Sequence, residues 1–129
     1  MSATVPKHFD EHVLNRLAQT EEIEIDVPRP EALASIHPTT IWVVVVDDTV
    51  YVRSWKGKAG RWYQRISADP QAVVYLEGHP IPVRATPVND EATITQVSEA
   101  YRRKYFEDPF MRSMLRDEIL PTTLRLEPA

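Results

Sequence analysis

The chain has 129 residues, a net charge of −4 and no cysteine, which excludes a disulfide framework and thiol chemistry. Its hydrophobic fraction of 43% is that of an ordinary soluble domain, and the acidic balance argues against nucleic-acid binding, which needs phosphate neutralisation over an extended surface. The longest apolar run, Ile41 to Val46, is too short to cross a bilayer, and the opening residues show no apolar leader. The expectation is a cytoplasmic, single-domain protein over residues 1–129, with a helical segment at 1–21 and the body at 22–129.

Residues 9–19 place Phe9, Val13, Leu14 and Leu17 on one stripe of a short amphipathic helix. His8 and His12 are four apart, a spacing that suits two metal ligands, but no third ligand is near and no metal is expected. Glu22 to Val27 alternates apolar and acidic residues, predicting a strand with one buried face, and Pro28 and Pro30 stop it. A loop follows to Thr39 and Thr40, whose hydroxyls stand just before the next strand. Ile41 to Val46 is β-branched and continuous, predicting a central strand buried on both faces. Asp47-Asp48-Thr49 makes a tight turn. Val50 to Trp55 then returns with Val50, Val52 and Ser54 on one face and Tyr51, Arg53 and Trp55 on the other.

Residues 61–65 read as a turn of helix or a short strand, and Asp69-Pro70 is a break. Residues 72–77 and 81–88 form a second hairpin around Gly78-His79-Pro80, with Pro82 and Pro87 pushing the later strand toward an edge or a bulge. Arg84 lies on a strand that otherwise reads apolar, so it needs a partner, either a ligand phosphate or Glu77. Asn89 or Asp90 caps a helix to about Phe106, with Ile94, Val97, Tyr101 and Tyr105 on its apolar stripe and Lys104 on its solvated side. Asp108-Pro109 opens another helix carrying Phe110, Met111, Met114 and Leu115. Pro121 ends it, and residues 122–127 close as a strand. Six strands joined by short turns, with helices toward the ends, make an antiparallel α+β fold built on a small barrel.

Residues 49–68 stand apart. They hold five cations (Arg53, Lys56, Lys58, Arg61, Arg65) and no acid, so the remainder of the chain carries −9. Two of the three glycines, Gly57 and Gly60, and two of the three tryptophans, Trp55 and Trp62, lie here. A local positive field in an acidic protein suits a small anion. Glycine lets backbone N–H groups approach it, and aromatic rings hold a flat group attached to it. Arg53, Ser54, Lys56 and Arg61 are the best phosphate ligands, Trp42 and Trp62 the candidate walls for a ring, and Tyr63 a substrate-side hydroxyl. No residue is assigned a catalytic acid or base role.

The order of Ser54, Lys56, Gly57, Gly60, Trp62, Tyr63, Asp69 and Pro70, continued by A-Y-R-R-K-Y (Ala100 to Tyr105) and T-L-R-L-E-P, resembles the flavin-binding split β-barrels of the pyridoxamine-phosphate-oxidase-like superfamily. The nearest branches are the deazaflavin-dependent nitroreductase group and an uncharacterised small family beside it. The resemblance implies a six-stranded split barrel and a homodimer. It also implies FMN or a deazaflavin coenzyme held by the residues above, and reduction of a small organic substrate. Relatives that use deazaflavin carry a basic, glycine-containing turn before the strand of Trp42. This chain has A-S-I-H-P-T-T there. The alternative is therefore a non-catalytic barrel that binds a small anionic ligand and has lost the cofactor.

Overall fold

The computed structural model describes residues 8–27 and 38–129. Helix α1 (Glu11–Gln19) is capped by Asp10, whose carboxylate accepts the Val13 N–H at 2.9 Å, and its stripe buries Leu14 and Leu17. Strand β1 (Ile23–Asp26) shows the expected alternation, with Ile23 and Ile25 buried and Glu24 exposed. The predicted single strand from Ile41 to Val46 is instead two, β2 (Thr39–Ile41) and β3 (Val44–Val46). With β4 (Thr49–Val52), β5 (Gln71–Leu76), β6 (His79–Pro87) and β7 (Leu124–Pro128), the described residues form seven strands rather than six.

All neighbours pair antiparallel in the order β2-β1-β5-β6-β7-β4-β3. The two edge strands, β2 and β3, are separated in the chain only by Trp42 and Val43. Three Cα steps span at most about 11 Å, so the sheet must curl until the end of β2 comes near the start of β3. The result is a curled antiparallel half-barrel with α-helices against it, an α+β arrangement. A β-branched run signals burial but not a change of partner, which explains why this split escapes a pattern reading.

Both hairpin turns use left-handed residues. Asp47 and Asp48 have φ of 50° and 62°, and Glu77 and Gly78 have 52° and 83°, the pattern of a two-residue turn that matches strand twist. The second turn is thus Glu77-Gly78, one step earlier than expected, and β6 begins at His79. Strand β6 lies between β5 and β7, not at an edge. Its Pro80 and Pro82 fall beyond the end of β7, which covers only Val83 to Pro87, so a missing donor matters least there. Arg84 is exposed, and Glu77 pairs with Arg16 instead.

Ile25, Val74, Val83 and Leu126 fill the concave side together with Leu17 of α1 and Trp62 and Ile66 of α2 (Arg61–Ala68). On the other side of β3 and β4, Val44 and Tyr51 pack on Val97, Tyr101 and Tyr105 of the α3 region (Glu91–Lys104) and on Ile119. Asp90 caps α3 by accepting the Thr93 N–H at 2.9 Å. The helix expected after Asp108 is only 3-10 turns, Met111–Leu115 and Leu120–Thr122. The six residues between Pro109 and the extended Arg116 are too few to offset the cost of nucleating an α-helix. Among the described residues no helix is long and apolar enough to cross a membrane.

Candidate functional site

The site is built where β4 ends. Arg53 is fully buried. Its Nε donates to Thr123 Oγ1 at 2.9 Å, Nη1 to the Met114 carbonyl at 2.9 Å and Nη2 to the Ile94 carbonyl at 3.0 Å. The guanidinium also lies 5.3 Å from the centre of the Tyr101 ring. Burial pulls its pKa below the usual guanidinium value, yet arginine stays protonated in proteins. Among the described residues no carboxylate forms an ion pair with it, so a buried positive charge is matched only by neutral acceptors.

Ser54, also buried, donates its backbone N–H to Thr122 Oγ1 at 3.0 Å and its hydroxyl to the Gly57 carbonyl at 2.8 Å. The Gly57 N–H returns to the Ser54 carbonyl at 2.9 Å. Gly57 has φ +64°, a left-handed conformation that favours glycine, and a Cβ there would lie 3.3 Å from the Glu118 carbonyl. Gly60 is needed for a different reason: a Cβ there would sit 2.4 Å from Ser54 Oγ. This rigid turn delivers the chain to the N-terminus of α2, where Gly60 supplies no side-chain cap, leaving first-turn N–H groups without a side-chain acceptor.

That helix start opens into a cleft of about 560 Å³, within the range of small-ligand sites. Lys56 and Arg61 line it, and neither has a hydrogen bond or ion pair among the described residues. Trp42 and Trp62 form walls, and Trp55 and Phe110 meet edge to face, 5.5 Å apart, with half-exposed rings. Glu21, Glu22 and Asp108 line the same cleft without an ion pair to its cations.

Of the eight residues expected from the sequence, Trp42, Arg53, Ser54, Lys56, Arg61 and Trp62 come together on this cleft. Gly57 and Tyr63 do not line it. Gly57 is buried against the Glu118 carbonyl, and Tyr63, about 100° around α2 from Trp62, packs half-buried on the barrel core. Glu21, Asp108 and Phe110 escaped the sequence reading as cleft residues. They come from segments far apart in the chain, and Phe110 was assigned to a helix that does not form. Residues 34–37, part of the turn before β2, lie outside the described residues.

The joint between β2 and β3 borders the cleft through Trp42. Its indole stacks on the Tyr105 ring at 4.0 Å and 5°. The Tyr105 hydroxyl accepts the Val43 N–H at 3.2 Å and donates to the Glu21 carbonyl at 2.7 Å, and burial raises its pKa. Lys104, expected to be solvated, instead donates to the Val43 carbonyl at 2.6 Å and the Leu17 carbonyl at 3.0 Å. Burial lowers its pKa to about 8.

The fold is shared with solved structures. ChuZ of Campylobacter jejuni superposes with a TM-score of 0.70 at 7% identity over 92% of this chain, which spans only 52% of ChuZ. A Listeria innocua protein named as a candidate pyridoxamine 5'-phosphate oxidase gives 0.60 at 16% identity, covering 92% of this chain and 90% of its own. HutZ of Vibrio cholerae, a heme storage protein, gives 0.61 at 11%, covering 95% and 91%. At these identities the likeness establishes the split-barrel fold alone. No curated protein matches the sequence. Residues 13–126, however, match the family described as "Uncharacterized protein conserved in bacteria (DUF2255)", and the chain belongs to that family.

Proposed function

We propose that this protein binds a small, planar, phosphate-bearing ligand in the cleft beside α2, and that the ligand is a flavin of the FMN type. One observation carries the reading. Arg53, Lys56 and Arg61, three cations without a carboxylate partner among the described residues, line one cleft with Trp42 and Trp62 at the uncapped start of α2. Helix N-termini favour anions through their free N–H groups and dipole. The phosphate lies at Lys56, Arg61 and the first turn of α2, with the Arg53 charge behind it, and the ring lies toward the tryptophans.

A bound flavin would supply hydride transfer to a small organic substrate, as in the narrower likeness to deazaflavin-dependent nitroreductases. The chain's own contribution is to hold the phosphate, stack the ring and keep water from the cleft. The fold does not dictate catalysis: HutZ, with the same fold, is a heme storage protein. A non-catalytic binder of the same ligand is the second reading.

Titrating the ligand-free protein with FMN and with a deazaflavin coenzyme, followed by fluorescence quenching, tests the proposal. We expect FMN to bind below about 100 μM, a binding free energy of roughly −5.5 kcal/mol. The Lys56→Ala and Arg61→Ala variants should each weaken it about tenfold, one charge-assisted contact being worth roughly 1.5–3 kcal/mol. Absence of binding by either coenzyme removes the flavin reading. Binding without turnover of any nitro or quinone acceptor by the reduced complex selects the non-catalytic one.

A further inference from the structure

The wall that faces the ring is not a free side chain. Trp42 sits in the two-residue joint between the edges of the sheet, outside any strand, so no ladder hydrogen bond fixes it. What fixes it comes from the end of α3. Tyr105 covers one face of the indole in a near-parallel stack, and its hydroxyl accepts the Val43 N–H, the next residue along. That hydroxyl has one hydrogen, donated to the Glu21 carbonyl, which ties the joint to the segment before β1. The Val43 carbonyl is served separately by Lys104, which also reaches the C-terminal turn of α1 at Leu17. Both polar groups of Val43 are therefore satisfied by two adjacent side chains, 61 and 62 residues away in sequence. An extended joint with these groups open would need water or movement to satisfy them.

We propose that Tyr105, supported by Lys104, is a positioning residue for the ligand cleft: it holds the Trp42 indole as a fixed flat wall against which a planar ligand ring stacks. Tyr105 does not itself line that cleft. It acts through Trp42, which is stacked on Tyr105 and also lines the cleft. The arrangement is a three-layer stack of phenol, indole and ligand ring, its first two layers built in advance. Ordering the wall beforehand lowers the ordering cost of binding. The identity of the ring rests on the flavin reading above; the clamp does not.

Two measurements separate these. In ligand-free protein carrying Trp55→Phe and Trp62→Phe, Trp42 is the only tryptophan, and its fluorescence anisotropy decay reports indole motion directly. Adding Tyr105→Leu should introduce a fast depolarising component, while Tyr105→Phe, which keeps the ring, should restore most of the slow decay. In the parent protein, Tyr105→Leu should raise the FMN dissociation constant about three- to tenfold, the worth of one aromatic stack. Inorganic phosphate should bind within about twofold of wild type, because Lys56, Arg61 and the first turn of α2 are not among the hydrogen-bond or ring partners of Tyr105. Far-UV circular dichroism checks that each variant is folded. Unchanged anisotropy in Tyr105→Leu overturns the clamp whether or not FMN binds. A parallel fall in FMN and phosphate affinity also overturns it, since that marks general loss of structure. If wild type fails to bind FMN, the flavin reading falls and the anisotropy result still decides the clamp.

Discussion

Replacing Arg53 with methionine separates a scaffold role from a ligand role. The side chain donates to acceptors on three different segments: Ile94 in α3, Met114 in the 3-10 turn and Thr123 before β7. Hydrogen bonds from a charged group are worth roughly 1.5–3 kcal/mol each, so the gross loss is about 5–9 kcal/mol. Methionine also removes a buried charge that has no carboxylate partner among the described residues, which returns several kcal/mol of desolvation cost. Thr123 keeps its own bond to the Leu120 carbonyl at 2.7 Å, leaving two carbonyls to lose a donor at about 1–3 kcal/mol each. The net expectation is a loss of about 3–5 kcal/mol, a large share of the 5–15 kcal/mol typical of a domain. Arg53→Lys should lose about 2 kcal/mol, because an ammonium cannot match the three directions of the fork. Urea unfolding without ligand, read by tryptophan fluorescence and far-UV circular dichroism, gives both numbers. If Arg53→Met is within about 1 kcal/mol of wild type, the scaffold argument is wrong and Arg53 is there for the ligand.

Gly60→Ala places a methyl 2.4 Å from Ser54 Oγ; overpacking of this kind costs about 1–3 kcal/mol, and thermal unfolding should show it alongside weaker FMN binding. Among the described residues the buried Tyr101 hydroxyl has no hydrogen-bond partner, so Tyr101→Phe should be neutral or stabilising by up to about 1 kcal/mol, and a clear drop in melting temperature would contradict that. Lys104 has its pKa lowered by burial from 10.5 to about 8, so below pH 8 the folded state carries the cost of a buried charge. As pH rises from about 8 toward the ordinary lysine value the unfolded chain holds the proton longer, and wild type should gain stability relative to Lys104→Met, whose melting temperature supplies the baseline. Trp55, Phe106 and Phe110 are exposed aromatics, and we expect a homodimer that covers part of them; light scattering at micromolar concentration would disprove this by returning a monomer mass.

The strands and caps were legible because they depend on near neighbours. Ile23 and Ile25 bury and Glu24 faces water because side chains alternate along an extended chain. Asp90, one of the two expected caps, serves because a short carboxylate reaches an N–H three residues on, and Asp10, not singled out from the sequence, does the same for α1. The division of Ile41–Val46 was not legible, because the groups that bond the joint at Val43 and stack on Trp42 are a tyrosine and a lysine from the far end of α3. Lys104 shows the same limit from the other side. Helical spacing places it away from the apolar stripe, and only the packing of α3 across the joint brings two carbonyls to it.

The site was legible in part for a related reason. Ser54, Lys56, Arg61 and Trp62 lie within nine residues, so a local reading of charge and glycine finds them together, and the fold does bring them to one cleft. Charge alone does not distinguish their roles. Arg53 is one residue from Ser54, yet strand alternation turns it toward α3, where its donors meet protein acceptors. Lys56, just before Gly57, and Arg61, just after Gly60, form no ion pair among the described residues. A cluster of cations in sequence is thus divided by the backbone into one bound to scaffold acceptors and two that line the cleft. The glycines shape the turn between the two: Gly57 takes a left-handed conformation and Gly60 lets the chain pass against Ser54. Substitution at either should disturb the cleft-lining pair more than Arg53, whose partners all lie outside the turn.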